Sequence, residues 1–167
     1  MRVPALELPH APVTNGATLI KPYAALSTAF HPFDTKEIAV LTRDQEIALL
    51  HVENGNGKRL ASLPSLECPP MIAIAYDSEG TLWGATKEGE LCHFIAVQGE
   101  EAADALRIHR RIAIFDAKAE TAINLSWCTP FLIVTGSKGS IALVHPKSST
   151  PHLVHGPFFS LYIMNGN

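Results

Sequence analysis

One short turn recurs three times in this chain, and its spacing limits the possible folds more than any other feature. The turn positions are Gln45, Gly89 and Gly139, which lie 44 residues apart (45 to 89) and 50 residues apart (89 to 139). Each follows an apolar run that ends in a small or hydroxyl residue, and each precedes another apolar run. A period of about 40 to 50 residues indicates a fold made of repeated supersecondary units.

Each repeat contains several short strands. The aligned segments are "LSTAFHPFDTKEIAVLTRDQEIALLHV" (26–52), "MIAIAYDSEGTLWGATKEGELCHFIAV" (71–97) and "AINLSWCTPFLIVTGSKGSIALVHP" (122–146). Runs of β-branched and aromatic residues, divided by Gly, Pro and Asp, predict three antiparallel strands in each segment. A fourth strand is predicted in each unit at 58–63, 110–115 and 151–156. Only 98–111 has helix-forming content, and its second half also suits a strand.

The turn chemistry supports this division into units. Gly80, Gly89 and Gly139 supply the positive φ that short hairpin turns require. Small residues occur on the second strands, where a neighbouring unit would approach closely; they are Ala39, Gly84, Ala85 and Gly136. Trp83 lies between two glycine turns, and we predict that it packs between units.

Several motifs resemble those of known β-propellers. "AIAYDSEGTLWGAT" is similar to the blade motif of regulator-type and quinoprotein-like propellers, in which an Asp-x-x-Gly turn leads into a Leu-Trp strand. The segments 26–52 and 125–146 resemble WD40-type blades, where "FHP" and "TGSxxGSI" are common. The Trp-Asp and Gly-His pairs of standard WD40 repeats are absent, so the hydrogen-bonded tetrad of that family is not carried over. The resemblance covers about 26–156 and implies a WD40-like, all-β propeller.

The predicted organisation is an incomplete ring. We predict an extended N-terminal arm at 1–16 and a propeller segment at 17–167. The segment would contain three four-stranded antiparallel blades at about 26–63, 71–115 and 122–156, with flanking strands at 17–22 and 158–164. Propellers typically have four to eight blades. Three blades alone would expose apolar faces, at a cost of roughly 10 kcal/mol per face at about 25 cal/mol/Å². The chain is therefore a piece of a longer propeller, self-associates, or is completed by a different chain.

Composition narrows the partners. A net charge of -3, from 13 basic and 16 acidic residues, does not favour direct binding to nucleic acid or to a membrane. The 3 cysteines are dispersed and form no CxxC pair, which favours a reducing intracellular compartment, cytoplasmic or nuclear. The expected partners are other protein chains, which would complete the ring, or copies of this chain.

No catalytic, metal or cofactor site is predicted, and the chain is predicted not to be an enzyme. The 8 histidines form neither HExxH nor HxH, and Ser126 and Ser137 lack a GxSxG elbow. Cys128 has no identifiable local base. One alternative stays open: a propeller hydrolase or lactonase with a divalent metal in the channel, towards which Asn124 could face. A second is an architectural subunit of a nucleic-acid-associated complex.

The predicted function is that of a non-catalytic protein–protein interaction scaffold, as a propeller subunit or a fragment of a larger assembly. Binding residues in such a fold lie on the loops between strands. The candidate partner-binding residues are His31, Phe33, Asp34, Arg43, Asp44, Asp77, Glu79, Lys87, Glu88 and Lys138.

Overall fold

The computed structural model describes residues 24–53, 56–97, 104–116 and 118–154, and these residues form only strands, turns and loops. The strands are β1 (Ala25–Phe30), β2 (Glu37–Thr42), β3 (Ile47–Glu53), β4 (Asn56–Leu63), β5 (Met71–Tyr76), β6 (Leu82–Thr86), β7 (Glu90–Val97), β8 (Asp104–Ala113), β9 (Ala122–Cys128), β10 (Phe131–Gly136), β11 (Ile141–Val144) and β12 (His152–Val154). The all-β prediction is confirmed. The arm predicted at 1–16 and the flanking strands predicted at 17–22 and 158–164 lie outside the described residues.

The twelve strands form three antiparallel meanders, which we call unit 1 (β1–β4), unit 2 (β5–β8) and unit 3 (β9–β12). Units 1 and 2 join into one eight-stranded sheet, because their outermost strands β4 and β8 pair in parallel. That pairing is short, and links Ala61 to Asp104 and Ser62 to Ala105. Unit 3 forms a separate four-stranded sheet.

The strand β8 begins six positions earlier than the strand predicted at 110–115, and residues 104–111 of the helix-forming segment are extended. The strand β8 pairs with β7 from Glu90 opposite Ala113 to Val97 opposite Ala105, with one irregularity between His93 and Phe94. Its apolar side chains Leu106 and Ile112 are buried. Tertiary pairing along this length overrides the local helix propensity of the alanines and leucine.

The units pack face to face, and strand alternation gives the middle unit two apolar faces. One cluster joins units 1 and 2, with Leu41 and Ile47 of unit 1 against Leu82 and Phe94 of unit 2. A second cluster joins units 2 and 3; its main members are Trp83, Ala85, Leu91, Leu125, Leu132 and Val134. The core is therefore divided into layers between sheets.

The outward faces of the two end units are also apolar. On unit 1, the face turned away from unit 2 carries a third cluster made of Val40, Ala48 and Leu50, with Ile38 and Val52 against it. On unit 3, Ile133 pairs with Leu143 and Ile141 pairs with Val154, on the face opposite the buried Leu132 and Val134. Val40, Ala48 and Leu50 are at most 7% exposed, whereas Ile133 and Leu143 are half-buried, so the outward face of unit 3 is the more accessible of the two.

The turn that revealed the repeat has the same hydrogen bonds in all three units. Its backbone is left-handed at Gln45 (φ 65°), Gly89 (φ 83°) and Gly139 (φ 87°). The N–H groups of these residues donate to the carbonyls three positions earlier, at 3.0, 3.1 and 3.1 Å. The residue that follows each second strand donates to the residue shortly before the first strand, at 2.8 Å in every unit: Arg43 to Ala24, Lys87 to Pro70 and Ser137 to Thr121.

Unit 3 replaces one part of this turn with a different residue. In units 1 and 2 the hydroxyls of Thr42 and Thr86 accept the N–H four positions later, both at 3.0 Å. Unit 3 has Gly136 at this position, and the Glu120 carboxylate accepts the corresponding N–H of Ser140 at 3.3 Å. Hydrogen bonds from the Ser140 side chain, and from the Lys138 and Ser140 backbones, lower the pKa of Glu120. A Cβ on Gly136 would overlap this carboxylate.

We expect Gly136→Thr and Glu120→Ala each to destabilise the protein by about 1–2 kcal/mol, through a clash and through lost acceptors respectively. The double variant should recover at least about half of the summed loss, because the threonine hydroxyl then replaces the carboxylate. Urea unfolding of the four proteins measures this coupling. Strictly additive losses would contradict the equivalence of the two turns.

The pKa of Glu120 is lowered in the folded protein. The contribution of its carboxylate to the free energy of unfolding should therefore be present above about pH 4.3 and be lost as the pH falls through the lowered folded pKa.

The second prediction concerns Trp83, which is 1% exposed between units 2 and 3. Trp83→Ala should reduce the free energy of unfolding by about 3–5 kcal/mol, because it opens a cavity between two sheets. Phe33→Ala is the control, since this side chain is exposed and its loss should change stability by less than about 0.5 kcal/mol. Equal effects of the two substitutions in urea unfolding would mean that Trp83 lies on the surface.

Candidate protein-interaction surface

The ten predicted contact residues lie on two opposite sides of the units. Within each unit, the connection before the second strand and the turn after it are separated by the length of that strand. For the six residues of β2 this length is roughly 20 Å. We call the side with the β1–β2, β5–β6 and β9–β10 connections the loop surface, and the side with the β2–β3, β6–β7 and β10–β11 turns the turn surface.

The turn surface carries five of the predicted residues, and all five side chains are exposed: Arg43, Asp44, Lys87, Glu88 and Lys138. Their backbones are fixed by the repeated turn hydrogen bonds. Three cations and two anions alternate along this edge, so the set has little net charge. Mixed charge of this kind is typical of an ordinary solvated surface.

On the loop surface, Asp77 has a structural role in place of its predicted contact role. It is only 2% exposed. One carboxylate oxygen accepts the N–H groups of Glu79 and Thr81 at 2.8 and 2.9 Å, and the other accepts the indole N–H of Trp83 at 2.9 Å. The aspartate of the Asp-x-x-Gly turn therefore fixes both the turn and the buried tryptophan, and both of its carboxylate oxygens are engaged within the chain.

The loops of units 1 and 2 contact each other through His31. Its Nδ1 accepts the N–H groups of Phe33 and Asp34 at 3.3 and 3.0 Å. Its ring meets Tyr76 edge-on at 5.0 Å between centroids. A Cβ on Gly80 would lie 2.6 Å from Nε2 of His31, so the glycine allows this close approach. His31 is half-buried, and orders the loop that presents its neighbours.

Two exposed phenylalanines flank His31 on the loop surface. Phe33 is 72% exposed and Phe30, the last residue of β1, is 69% exposed. Exposed aromatic side chains on an ordered loop are typical anchors of protein interfaces. Phe30 was not among the predicted contact residues. Strand alternation could have identified it, because Phe30 directly follows the buried Ala29 on β1 and its side chain therefore points to the other face of the sheet.

Asp34 and Glu79 complete the loop surface. Asp34 accepts the N–H of Lys36 at 2.9 Å and remains exposed. Glu79 pairs with Lys147 of unit 3 at 2.7 Å, and both side chains are largely in solvent. Such a pair contributes little to stability, so it leaves Glu79 accessible.

A cleft of about 330 Å³ opens between units 1 and 2 beside the loop surface. At its wall, the hydroxyl of Tyr76 donates to Oε1 of Glu37 at 2.7 Å. Burial, and then this hydrogen bond and the charge of Glu37, raise the pKa of Tyr76, so the phenol is neutral. Glu37 was not predicted as a site residue, since its pairing with Tyr76 across 39 positions has no local sequence signal.

The titratable groups of the described ranges do not form a metal cluster: no three His, Cys, Asp or Glu side chains converge there. Burial raises the pKa of the Cys68 thiol to about 11 and that of Cys92 to about 12, so both are protonated. The ring of His93 stacks on Trp83 at 4.9 Å between centroids, and burial lowers its pKa. No helix in the part of the chain that the structure describes is long and apolar enough to span a membrane.

Comparison with solved structures identifies the class of fold. Sqt1 of Saccharomyces cerevisiae superposes with a TM-score of 0.57 at 13% identity, over 80% of this chain and 36% of that one. YCF48 bound to D1 peptide superposes with a TM-score of 0.55 at 8% identity, over 77% of this chain and 39% of that one. The chain thus spans little more than a third of each neighbour. No family model and no curated protein matches the sequence. The fold is β-propeller-like, and the resemblance seen in the sequence is correct at that level.

The role of Asp77 gives a third prediction. Asp77→Ala should destabilise the protein by more than about 3 kcal/mol, because three donors lose their acceptor, including the buried indole N–H. Asp77→Asn should lower the free energy of unfolding by a smaller amount. An amide has one acceptor oxygen, so it cannot accept from both the backbone and the indole as the carboxylate does. Glu79→Gln, in the same turn but exposed, is the matched control and should be neutral within about 0.5 kcal/mol. An Asp77→Ala protein as stable as the control would contradict the structural role.

Proposed function

We propose that this chain is a three-bladed segment of a WD40-like β-propeller that acts as a non-catalytic protein-interaction scaffold in a larger assembly. Units 1, 2 and 3 are the blades in this proposal. Other protein chains, further copies of this chain, or continuing polypeptide would supply the sheets that close the ring. The proposed setting is intracellular, cytoplasmic or nuclear, where the thiols of Cys68, Cys92 and Cys128 stay free.

The observation that carries the proposal is the apolar character of both end faces, of which that of unit 3 is the less buried. The outward face of unit 1 carries Val40, Ala48 and Leu50, and that of unit 3 carries Ile133 and Leu143. By strand alternation, these positions are equivalent to the positions of unit 2 whose side chains pack against units 1 and 3. Sheet faces of this composition are stabilised by packing against another sheet, as they are at the two internal interfaces.

Partner binding is proposed for the loop surface in preference to the turn surface. Phe30 and Phe33 provide exposed aromatic anchors there, and the His31 interlock holds their loop in place. The turn surface offers only short, solvated, mixed-charge turns. The neighbour YCF48 was solved bound to a D1 peptide, which supports peptide or protein recognition as a use of this fold.

Light scattering of the purified chain tests ring completion. An isolated three-blade stack should self-associate, so we expect a mass above the 18.1 kDa of a single chain. Replacing Ile133 and Leu143 by lysine should shift the mass towards the monomer, whereas the exposed Leu66→Lys should not. A wild-type monomer that unfolds in one cooperative step would contradict the need for completion.

Affinity capture from lysate tests which side binds partners. The variant Phe30→Ser/Phe33→Ser should lose the specific partners while its unfolding curve stays close to wild type, because both side chains are exposed. Charge reversal at Arg43, Lys87 and Lys138 together should leave capture intact. Loss of capture in the charge-reversed protein alone would assign binding to the turn surface instead.

A further inference from the structure

The strand β7 extends beyond β6, and its last residues have a strand partner on one side only. Pairing of β6 with β7 ends at Leu82 opposite Phe94, whereas pairing of β7 with β8 continues to Val97 opposite Ala105. Among the described strands, none pairs with 95–97 on the β6 side. Ile95 is 37% exposed, and Ala96 is exposed as well. A short open edge of this kind offers backbone donors and acceptors to an extended segment.

The cleft between units 1 and 2 lies directly beside this open edge. Its apolar wall comes from both units and consists of Leu49, Leu82, Phe94, Ile95, Ala96 and Leu106. The β5–β6 turn contributes Gly80 and Thr81 on the other side. A volume of about 330 Å³ suits a few side chains of a peptide and is too small for a folded element.

The charge of the cleft favours a cation. Among the residues of the cleft wall, Glu37 is the one with a formal charge at neutral pH. The phenol of Tyr76 is neutral. Burial lowers the pKa of His93, and the nearby His109 and Arg110 lower it further. Tyr76 occupies one position on Oε1, so the carboxylate keeps acceptor capacity for a further donor.

On unit 1, the cations nearest to Glu37 in strand order form no ion pair with it; on unit 2, the exposed Arg107 lies opposite the cleft residue Ile95 and none of the described ion pairs joins it to Glu37. Glu37 pairs with His51, and His51 pairs with Lys58, so the three side chains share one face of unit 1. Lys58 nevertheless lies two strands away from Glu37, at roughly 10 Å. Lys36 pairs with Glu53 at 2.5 Å. The carboxylate of Glu37 is therefore available to a ligand.

We propose that this cleft binds an extended peptide segment that carries a lysine or arginine between aliphatic residues. The basic side chain pairs with Glu37, an adjacent aliphatic side chain contacts the apolar wall, and the peptide backbone bonds to the open edge at 95–97. The inference rests on the proposed scaffold function and names a second, separate recognition site on it, distinct from the phenylalanines of the loop surface.

Fluorescence anisotropy with defined peptides tests the site on the full chain. The probe is a fluorescein-labelled heptapeptide of alternating valine and threonine with a central lysine. Matched peptides replace the lysine by glutamate or norleucine, and a fourth carries N-methyl groups on the backbone amides that would face β7. The lysine peptide should bind at least about tenfold more tightly than each of the other three. Equal binding of the lysine and glutamate peptides would overturn the proposed charge pairing.

Substitutions in the protein locate the binding. Glu37→Gln removes the charge and keeps an acceptor for Tyr76, and should weaken the lysine peptide about tenfold. Glu67→Gln is its control, since Glu67 is exposed in the connection between units 1 and 2 and lies outside the cleft wall. Ala96→Trp should fill the cleft and abolish binding, whereas Ala113→Trp, also at an exposed strand alanine, should not. Unchanged binding in Glu37→Gln and Ala96→Trp would overturn the site.

The two proposals fail in distinguishable ways. If no peptide binds while capture through Phe30 and Phe33 persists, the cleft inference is wrong and the scaffold stands. If the lysine peptide binds in a Glu37-dependent way but Phe30→Ser/Phe33→Ser captures the same partners as wild type, the cleft stands and the loop surface is not the partner site.

Discussion

The structure depends on face-to-face packing of small twisted sheets. Each four-stranded unit has two faces, and in unit 2 both are buried: Phe94 and Leu82 contact unit 1, and Trp83 and Leu91 contact unit 3. At about 25 cal/mol/Å², each such layer contributes far more than any hydrogen bond or ion pair on the surface. The exposed pairs, such as Lys147 with Glu79, join units only weakly by comparison.

Packing of this kind requires every unit to have the same shape, and the turns provide it. The left-handed residue, its bond to the end of the second strand, and the bond back to the first strand recur in all three units. Unit 3 preserves the geometry with different chemistry, because Glu120 supplies the acceptor that a threonine hydroxyl supplies elsewhere. The geometry of the turn is therefore constrained more tightly than the identity of its residues. Asp77 is a local addition to the same scheme, since its carboxylate ties the β5–β6 turn to the interface tryptophan.

The two proposed recognition sites lie where the regular strand pattern ends. Phe33 lies in the β1–β2 loop, and Phe30 ends β1 opposite Ile38, at the edge of the outward face of unit 1. The cleft beside Glu37 lies where β7 continues past β6. Neither feature is needed to pack the sheets, and each exposes groups that a purely structural surface would cover. Both are consistent with a propeller-like scaffold that uses more than one surface.

The sequence by itself determined the repeat, the all-β fold, the strands near 26–52, 71–97 and 122–146, and the glycine turns, because these follow from local periodicity and backbone sterics. It predicted Trp83 as an interface residue from its place between two turns. It placed the start of β8 too late and predicted Asp77 as a contact residue. Only tertiary structure decided that β8 is extended from Asp104, that Asp77 is buried, and that Glu37 meets Tyr76. The physical reason is that these outcomes depend on partners far along the chain, whose pairing energy outweighs local preference and leaves no trace in local sequence.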